Sequence, residues 1–145
     1  MKLVIQKSGP ASVEIDGKLC AAIDSGLVVL LGVTVADTEK DVDYLVDKLV
    51  NMRLFESGEK HFDQSVLDLG KPILLVSQFT LYAECRKGRR PDFANSAKAD
   101  EAAPLYELFT KKLRALGVHV ETGVFGAMMK VNLINEGPVT IILES

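Results

Sequence analysis

From Gly26 to Thr34 the chain reads GLVVLLGVT, with no polar side chain before its last residue. Successive side chains of a strand point to opposite faces, so a strand without polar positions must be covered on both sides. The β-branched residues, the bounding glycines and the short length favour a strand over a buried helix segment. Whatever the chain folds into needs one layer above this segment and another below it. A second such run, Ile73-Leu74-Leu75-Val76 within Lys71–Leu81, asks for the same environment.

The remaining elements follow from periodicity. Leu3 and Ile5, and then Val13 and Ile15, alternate with polar neighbours as half-buried strands do. Asp16-Gly17 then turns the chain into Leu19–Ile23, a strong hairpin signal. Asp37 or Thr38 caps a predicted helix in which Val42, Leu45, Val46, Leu49 and Val50 recur at helical spacing. Arg53-Leu54-Phe55 reads as a short strand, Glu56–Gln64 as a polar surface loop and Glu84–Asn95 as a second loop. A second helix is predicted over Asp100–Leu116, with Pro104 in its first turn and Leu105, Leu108, Phe109 and Leu113 as its apolar face. Val118–Thr122, Met128–Leu133 and Val139–Leu143 read as strands, the last two joined by a turn at Asn135-Glu136-Gly137-Pro138. The fold class expected is α+β: one domain, residues 1–145, built as a strongly curved mixed or antiparallel β-sheet or barrel with two flanking helices.

Composition narrows the function. A chain of 145 residues can bury enough surface to fold without disulfides or metal. Its two cysteines, Cys20 and Cys85, have no CxxC neighbour and are expected to fill space as small apolar side chains. His61 and His119 lack metal-ligand spacing, so no metal and no cofactor are expected. The longest apolar run, Gly26–Ala36, is about half of the ~20 residues a membrane helix needs, and Met1–Gln6 turns polar too early for a signal peptide. A cytoplasmic location with no membrane partner is the expectation. The net charge of −3 argues against wholesale binding of nucleic acid, and DNA is not expected as a partner. A local basic site remains at Arg86-Lys87-Gly88-Arg89-Arg90.

No GxGxxG, P-loop, HExxH or GxSxG occurs, and two histidines outside any motif give no catalytic triad. Side-chain acid–base or covalent chemistry is therefore poorly supported. Two segments stand apart. Ser77-Gln78-Phe79-Thr80-Leu81 puts polar groups where a buried strand ends, and buried hydroxyls and amides need partners. Pattern alone favours an edge strand with a polar face; the alternative is a pocket rim. Asn135-Glu136-Gly137-Pro138-Val139-Thr140 is, on pattern alone, a plain turn. A cis Gly-Pro bond is the alternative, accessible at a cost of about 0.5–1 kcal/mol and able to aim two carbonyls the same way, as acceptors for an ammonium group.

SQFTL at Ser77–Leu81 and NEGPVT at Asn135–Thr140 resemble the two signatures of the D-aminoacyl-tRNA deacylase family. The resemblance extends over essentially the whole chain through Ala11-Ser12-Val13, Gly26–Val33, Leu54-Phe55, Arg86–Pro91, Leu105-Tyr106 and Thr122–Ala127, in family order. It implies a carboxylic ester hydrolase that frees tRNA from a wrongly attached D-amino acid, acting as a homodimer on aminoacylated tRNA. It implies that Ser77, Gln78, Phe79 and Thr80 form the catalytic frame, with Ala102, Asn135 and Thr140 in the pocket. Gly137-Pro138, with its bond in cis, would enter the partner subunit's pocket and exclude L-residues by clashing with their Cβ. Glycine, which has no Cβ, would pass, so glycyl-tRNA is an expected side substrate.

For the missing base, the resemblance implies that the 2′-hydroxyl of the terminal adenosine helps to activate water, with backbone N–H groups near Phe79 and Thr80 stabilising the oxyanion. A Thr80 nucleophile stays open as the alternative. Arg86, Lys87, Arg89 and Arg90 would contact tRNA phosphates. Two departures stand out. Lys7 occupies a position where the family commonly has an arginine that braces the Gly-Pro motif, and lysine lacks that planar fork. Glu59–Gln64 also departs from the family pattern and is read as outside the chemistry. The competing readings are a related deacylase with relaxed chirality and a trans Gly-Pro bond, a non-catalytic RNA-binding dimer, and a structural dimer.

Overall fold

Strand β1 (Lys2–Ile15) is the spine of the molecule in the computed structural model, which describes all residues from 1 to 145. Its first half pairs antiparallel with β3 (Gly26–Gly32), and its second half with β2 (Lys18–Ile23) across the expected Asp16-Gly17 turn. Both turn residues have positive φ, 51° and 73°, as a tight hairpin requires. On its other edge β1 pairs with β8 (Lys130–Glu144). Beyond β3 come β6 (Ile73–Ser77) and β7 (Val120–Thr122), both parallel to their neighbours. The sheet is mixed and curls into a nearly closed barrel, as the α+β reading anticipated.

The double burial expected of the two apolar runs is met by two separate cores. Leu27, Val29 and Leu31, with Ile73 and Leu75, face outward under α1 (Glu39–Asn51) and α3 (Ala99–Ala115). Val28, Leu74 and Val76 face the other way, onto Ala11, Val13, Ala21 and Ile23. Each fully buried Leu or Phe contributes roughly 1.5–3 kcal/mol through removal from water. Thr38 caps α1, its N–H and hydroxyl both donating to the Asp41 carboxylate at 2.7 and 2.9 Å. No helix is long and apolar enough to cross a membrane.

Several expectations are corrected. Glu56–Gln64 is not a loop: β4 (Phe55–Ser57) and β5 (Lys60–Gln64) form a small antiparallel hairpin turning at Gly58, where φ is +58°. Its strands are too short and polar to announce themselves by alternation. The short strand read at Arg53–Phe55 is the start of that hairpin, beginning at Phe55. A third helix, the single turn α2 (Val66–Leu69), adds to the two expected, held by mutual Ser65–Asp68 hydrogen bonds and ended by left-handed Gly70. β7 begins at Val120 rather than Val118.

In α3, Pro104 lies in the second turn, since the helix starts at Ala99. The chain there loses the bond to the Asp100 carbonyl, which an exposed residue can leave to water. Tyr106 and Thr110, together with Phe109 and Leu113, are buried on α3, while Leu105 and Leu108 lie at the margin. Cys20 and Cys85 are both exposed and fill no core space. The largest correction concerns the tail. Asn135–Pro138 does not reverse the chain; β8 runs on as one 15-residue strand, and the motif is a bulge within it. β1 advances from Gln6 to Ser8 while β8 uses every residue from Thr140 to Asn135, so the surplus loops outward.

Candidate active site

The end of β6 turns into the site because of one backbone bond and one glycine. The Gln78 N–H donates to the Leu31 carbonyl at 2.7 Å, drawing the chain across the end of β3. A Cβ on Gly32 would lie 3.0 Å from the Gln78 carbonyl oxygen and 3.1 Å from Leu81 Cβ, so glycine permits this approach. Phe79–Tyr82 then forms a short 3-10 turn, with the Leu81 N–H donating to the Gln78 carbonyl. In that pattern the N–H groups of Phe79 and Thr80 open the turn and have no partner within it. Gln78 Nε2 donates to Thr80 Oγ1, and Ser96 Oγ donates to the Phe79 carbonyl at 2.8 Å.

A cleft of about 620 Å³ lies between this turn, the start of α3 and the segment before β8. Ser77, Gln78, Phe79 and Thr80 form one side, and Ala102, only 8% exposed, lies on the α3 side. The structure thus brings together five of the residues singled out in the sequence. The opposite wall, Phe125-Gly126-Ala127-Met128-Met129, was not expected as part of a site. Its signal was an apolar, glycine-containing stretch ahead of the strand expected from Met128; β8 starts only at Lys130, which leaves Met128 and Met129 to the cleft wall. Tyr106 backs this wall, its ring 5.7 Å from that of Phe125. The Tyr106 hydroxyl donates to the Leu75 carbonyl at 2.9 Å, and burial pushes its pKa up to about 12.

The lining is mostly hydrophobic and holds no His, Cys, Lys, Arg, Tyr or carboxylate. General acid–base catalysis by a side chain of this cleft has no candidate. Its chemical resources are backbone N–H groups, the Ser77 and Thr80 hydroxyls, the Gln78 amide and an apolar enclosure.

The other motif lies elsewhere. Within β8 only Val131 lines the cleft, and Gly137 is six residues further along, up to roughly 20 Å at ~3.3 Å per residue. The Gly137–Pro138 bond is cis, and both residues are exposed. Gly137 has φ of +123°, and a Cβ there would lie 2.7 Å from Val139 Cγ2. Asn135 and Thr140 do not line the cleft; they tie the base of the bulge. Asn135 Oδ1 accepts from the Val139 N–H at 2.9 Å, and Asn135 Nδ2 donates to Thr140 Oγ1 at 2.8 Å. Buried Ser8 adds a bond to the Ile134 carbonyl at 3.1 Å. Lys7 points to the β4–β5 hairpin, its ammonium 3.5 Å from Glu56.

In the basic loop, Arg86 is paired with Glu84, which its hydrogen bonds hold below the usual carboxylate pKa range. Lys87, Arg89 and Arg90 are exposed, with no carboxylate within 4.0 Å. Reciprocal backbone bonds of 2.8 and 2.9 Å between Glu84 and Asp92 close the loop at its base.

The family model for D-Tyr-tRNA(Tyr) deacylase matches residues 4–144. A D-aminoacyl-tRNA deacylase of Thermus aquaticus is 55% identical over the whole chain, covering 95% of that protein. One of Brevibacillus brevis is 54% identical, with each chain fully covered. Among solved structures, one described as a c-Myc DNA unwinding element binding protein superposes with a TM-score of 0.93 at 42% identity, covering 100% of this chain and 99% of that one. A probable eukaryotic D-amino acid tRNA deacylase has the same fold, with a TM-score of 0.86 at 19% identity over 99% of this chain and 98% of that one.

Proposed function

The chain belongs to the D-Tyr-tRNA(Tyr) deacylase family, as a hydrolase of D-aminoacyl-tRNA, and from that premise we propose how its cleft chooses and cleaves a substrate. The working unit is a homodimer in the cytoplasm. The Gly137-Pro138 bulge of one protomer enters the cleft of its partner, and the reverse contact follows by two-fold symmetry. The observation that carries this reading is the separation of the two motifs. One protomer has an apolar cleft with no charge to hold an ammonium group, and an exposed, hydrogen-bonded bulge that β1 keeps away from that cleft. A second copy supplies what each lacks.

In the assembled site, the carbonyls of Gly137 and Pro138 hold the substrate's α-ammonium. The Cα hydrogen of a D-residue faces the bulge and its side chain points out. An L-residue would press its Cβ into the backbone, so it is rejected by a clash rather than by weaker attraction. Water attacks the ester carbonyl, the 2′-hydroxyl of the terminal adenosine assists its deprotonation, and the N–H groups of Phe79 and Thr80 stabilise the oxyanion. Collapse releases the tRNA 3′-oxygen, which takes a proton, and the free D-amino acid. Removing one such oxyanion donor typically costs a factor of about 10²–10³ in rate. Lys87, Arg89 and Arg90 bind acceptor-stem phosphates, and Arg86 serves its Glu84 pair instead.

The deciding experiment compares matched D- and L-tyrosyl-tRNA, with glycyl-tRNA alongside. The expected outcome is cleavage of the D-ester and, at higher enzyme, of glycyl-tRNA, with the L-ester intact. Equal cleavage of both tyrosyl forms, or an inert glycyl ester, overturns the steric filter.

A further inference from the structure

We infer that Phe93 is a positioning residue of the active site, acting through the ring of Phe79; the inference rests on the functional reading of the Ser77–Thr80 turn given above. Phe79 is 57% exposed at the cleft mouth, and no core packing fixes its ring. What touches it is Phe93, half-buried, with ring centroids 5.0 Å apart and planes at 66°, an edge-to-face pair. This geometry suits the ring quadrupoles and restricts both rings more than an aliphatic contact would.

Phe93 is itself anchored. The segment after it is bound to the chain just past β3 by two hydrogen bonds. Thr34 Oγ1 donates to the Asn95 carbonyl at 2.6 Å, and the Ala97 N–H donates to the Val33 carbonyl at 3.0 Å, which sets Thr34 opposite Ser96 as an antiparallel bridge. The Ser96 hydroxyl reaches back to the Phe79 carbonyl. Residues 93–97 therefore form a strap over the turn, gripping Phe79 by its ring and by its carbonyl. With those two points fixed, the peptide plane carrying the Thr80 N–H has little freedom to rotate. The strap is continuous with the base of the basic loop, closed at Asp92 one residue earlier. Phe93 is where the phosphate-binding loop and the reaction centre are joined.

The test uses the full-length dimer with Phe93→Ala, Phe93→Leu and Phe93→Tyr, on D-tyrosyl-tRNA and on the D-tyrosyl 3′-ester of adenosine. Losing the ring pair in the Ala and Leu variants is expected to lower kcat about tenfold on both substrates, the scale of one aromatic contact felt in the transition state. KM and melting temperature are expected to stay near wild type, and Phe93→Tyr, which keeps the ring, to restore kcat. A Phe93→Leu enzyme with wild-type kcat overturns the inference, because bulk would then suffice. A loss confined to whole tRNA also overturns it, since Phe93 would then serve only the basic loop. If the wild-type enzyme spares both D-tyrosyl substrates, the reading of the site fails first, and that result is distinct from either.

Discussion

Two hydroxyls face the cleft, and neither is equipped to attack an ester. Thr80 Oγ1 receives a hydrogen bond from the Gln78 amide, and no histidine, lysine or carboxylate bonds to it. A hydroxyl without a base is a weak nucleophile. Thr80→Val is expected to retain near-normal single-turnover deacylation of D-tyrosyl-tRNA, measured with enzyme in excess. A loss of a thousandfold or more, or a trapped acyl-enzyme, would restore the nucleophile reading. Asn135 is the opposite case: on the proposed reading it acts on selectivity through the shape of the bulge rather than by touching the substrate. It makes both hydrogen bonds that close the base of the Gly137-Pro138 bulge. Each such bond is worth about 0.5–1.5 kcal/mol, and under the proposed steric filter a looser bulge excludes an L-residue less well. Asn135→Ala is expected to narrow the ratio of D- to L-tyrosyl-tRNA cleavage by about tenfold or more, mainly by raising the L rate. An unchanged ratio would show that the bulge holds its shape without the clamp.

Elements differ in how openly the sequence declares them. The strands Gly26–Gly32 and Ile73–Ser77 were legible because an apolar run has few stable destinations. Helix α1 was legible because five buried residues recur at helical spacing behind a Thr38 cap. β5 and α2 were not, and β4 was read only at its first residue, Phe55, since each is too short for a period to emerge. Ser65–Asp68 with Gly70 carried a capping signal, but the apolar residues between them, Val66, Leu67 and Leu69, span only a single turn, too short to show a helical period. The bulge in β8 was hidden by turn chemistry: Asn, Gly and Pro favour reversals, and only pairing with β1 makes the strand continue. At the site, Ser77–Leu81 read on pattern alone as an edge strand, where the chain instead leaves β6 in a 3-10 turn, and only the family resemblance marked it; the Phe125–Met129 wall was not marked at all, because apolar residues that line a cleft look like core.

Replacing Lys87, Arg89 and Arg90 together by Ala is expected to weaken tRNA binding and to make its log–log salt dependence shallower by up to ~2–3, at ~0.7–0.9 per phosphate contact. Unchanged affinity would leave the loop as solvated surface. Tyr106 links α3 to β6 through the Leu75 carbonyl. Its folded pKa, about 12, is raised by burial above the ordinary value near 10. The neutral phenol therefore supports the fold fully below pH 10, and that support is lost as pH rises from 10 through 12. Tyr106→Phe is expected to be less stable at pH 8 yet to lose stability less steeply from pH 10 to 12, by up to ~1.4 kcal/mol per pH unit in urea unfolding. A parallel fall in both proteins would show that the phenol ionises unhindered in the fold.

At the scale of the whole molecule, β1 decides the outcome. It pairs with β8 on both sides of the bulge, so the bulge, the wedge of the proposed dimer, is held away from the cleft of the same chain. Around the bulge β8 leaves Ile134 and Ile142 exposed, and Met128 at the rim of the cleft is 90% exposed. Such a surface suits the seat of a second copy. The consequence can be tested by mixing two inactive proteins. In Gly137→Ala the wedge is disturbed, since φ of +123° is unfavourable for alanine and its Cβ meets Val139. In Ala102→Phe the cleft is filled while the wedge is intact. Each homodimer then has two defective sites. A heterodimer pairs the good wedge of one chain with the good cleft of the other, leaving one complete site and one doubly damaged. Random assortment makes about half the dimers mixed, so D-tyrosyl-tRNA deacylation should recover to about a quarter of wild type after co-refolding. If each chain supplies its own wedge, mixing recovers nothing and the mixture stays as inactive as its parts.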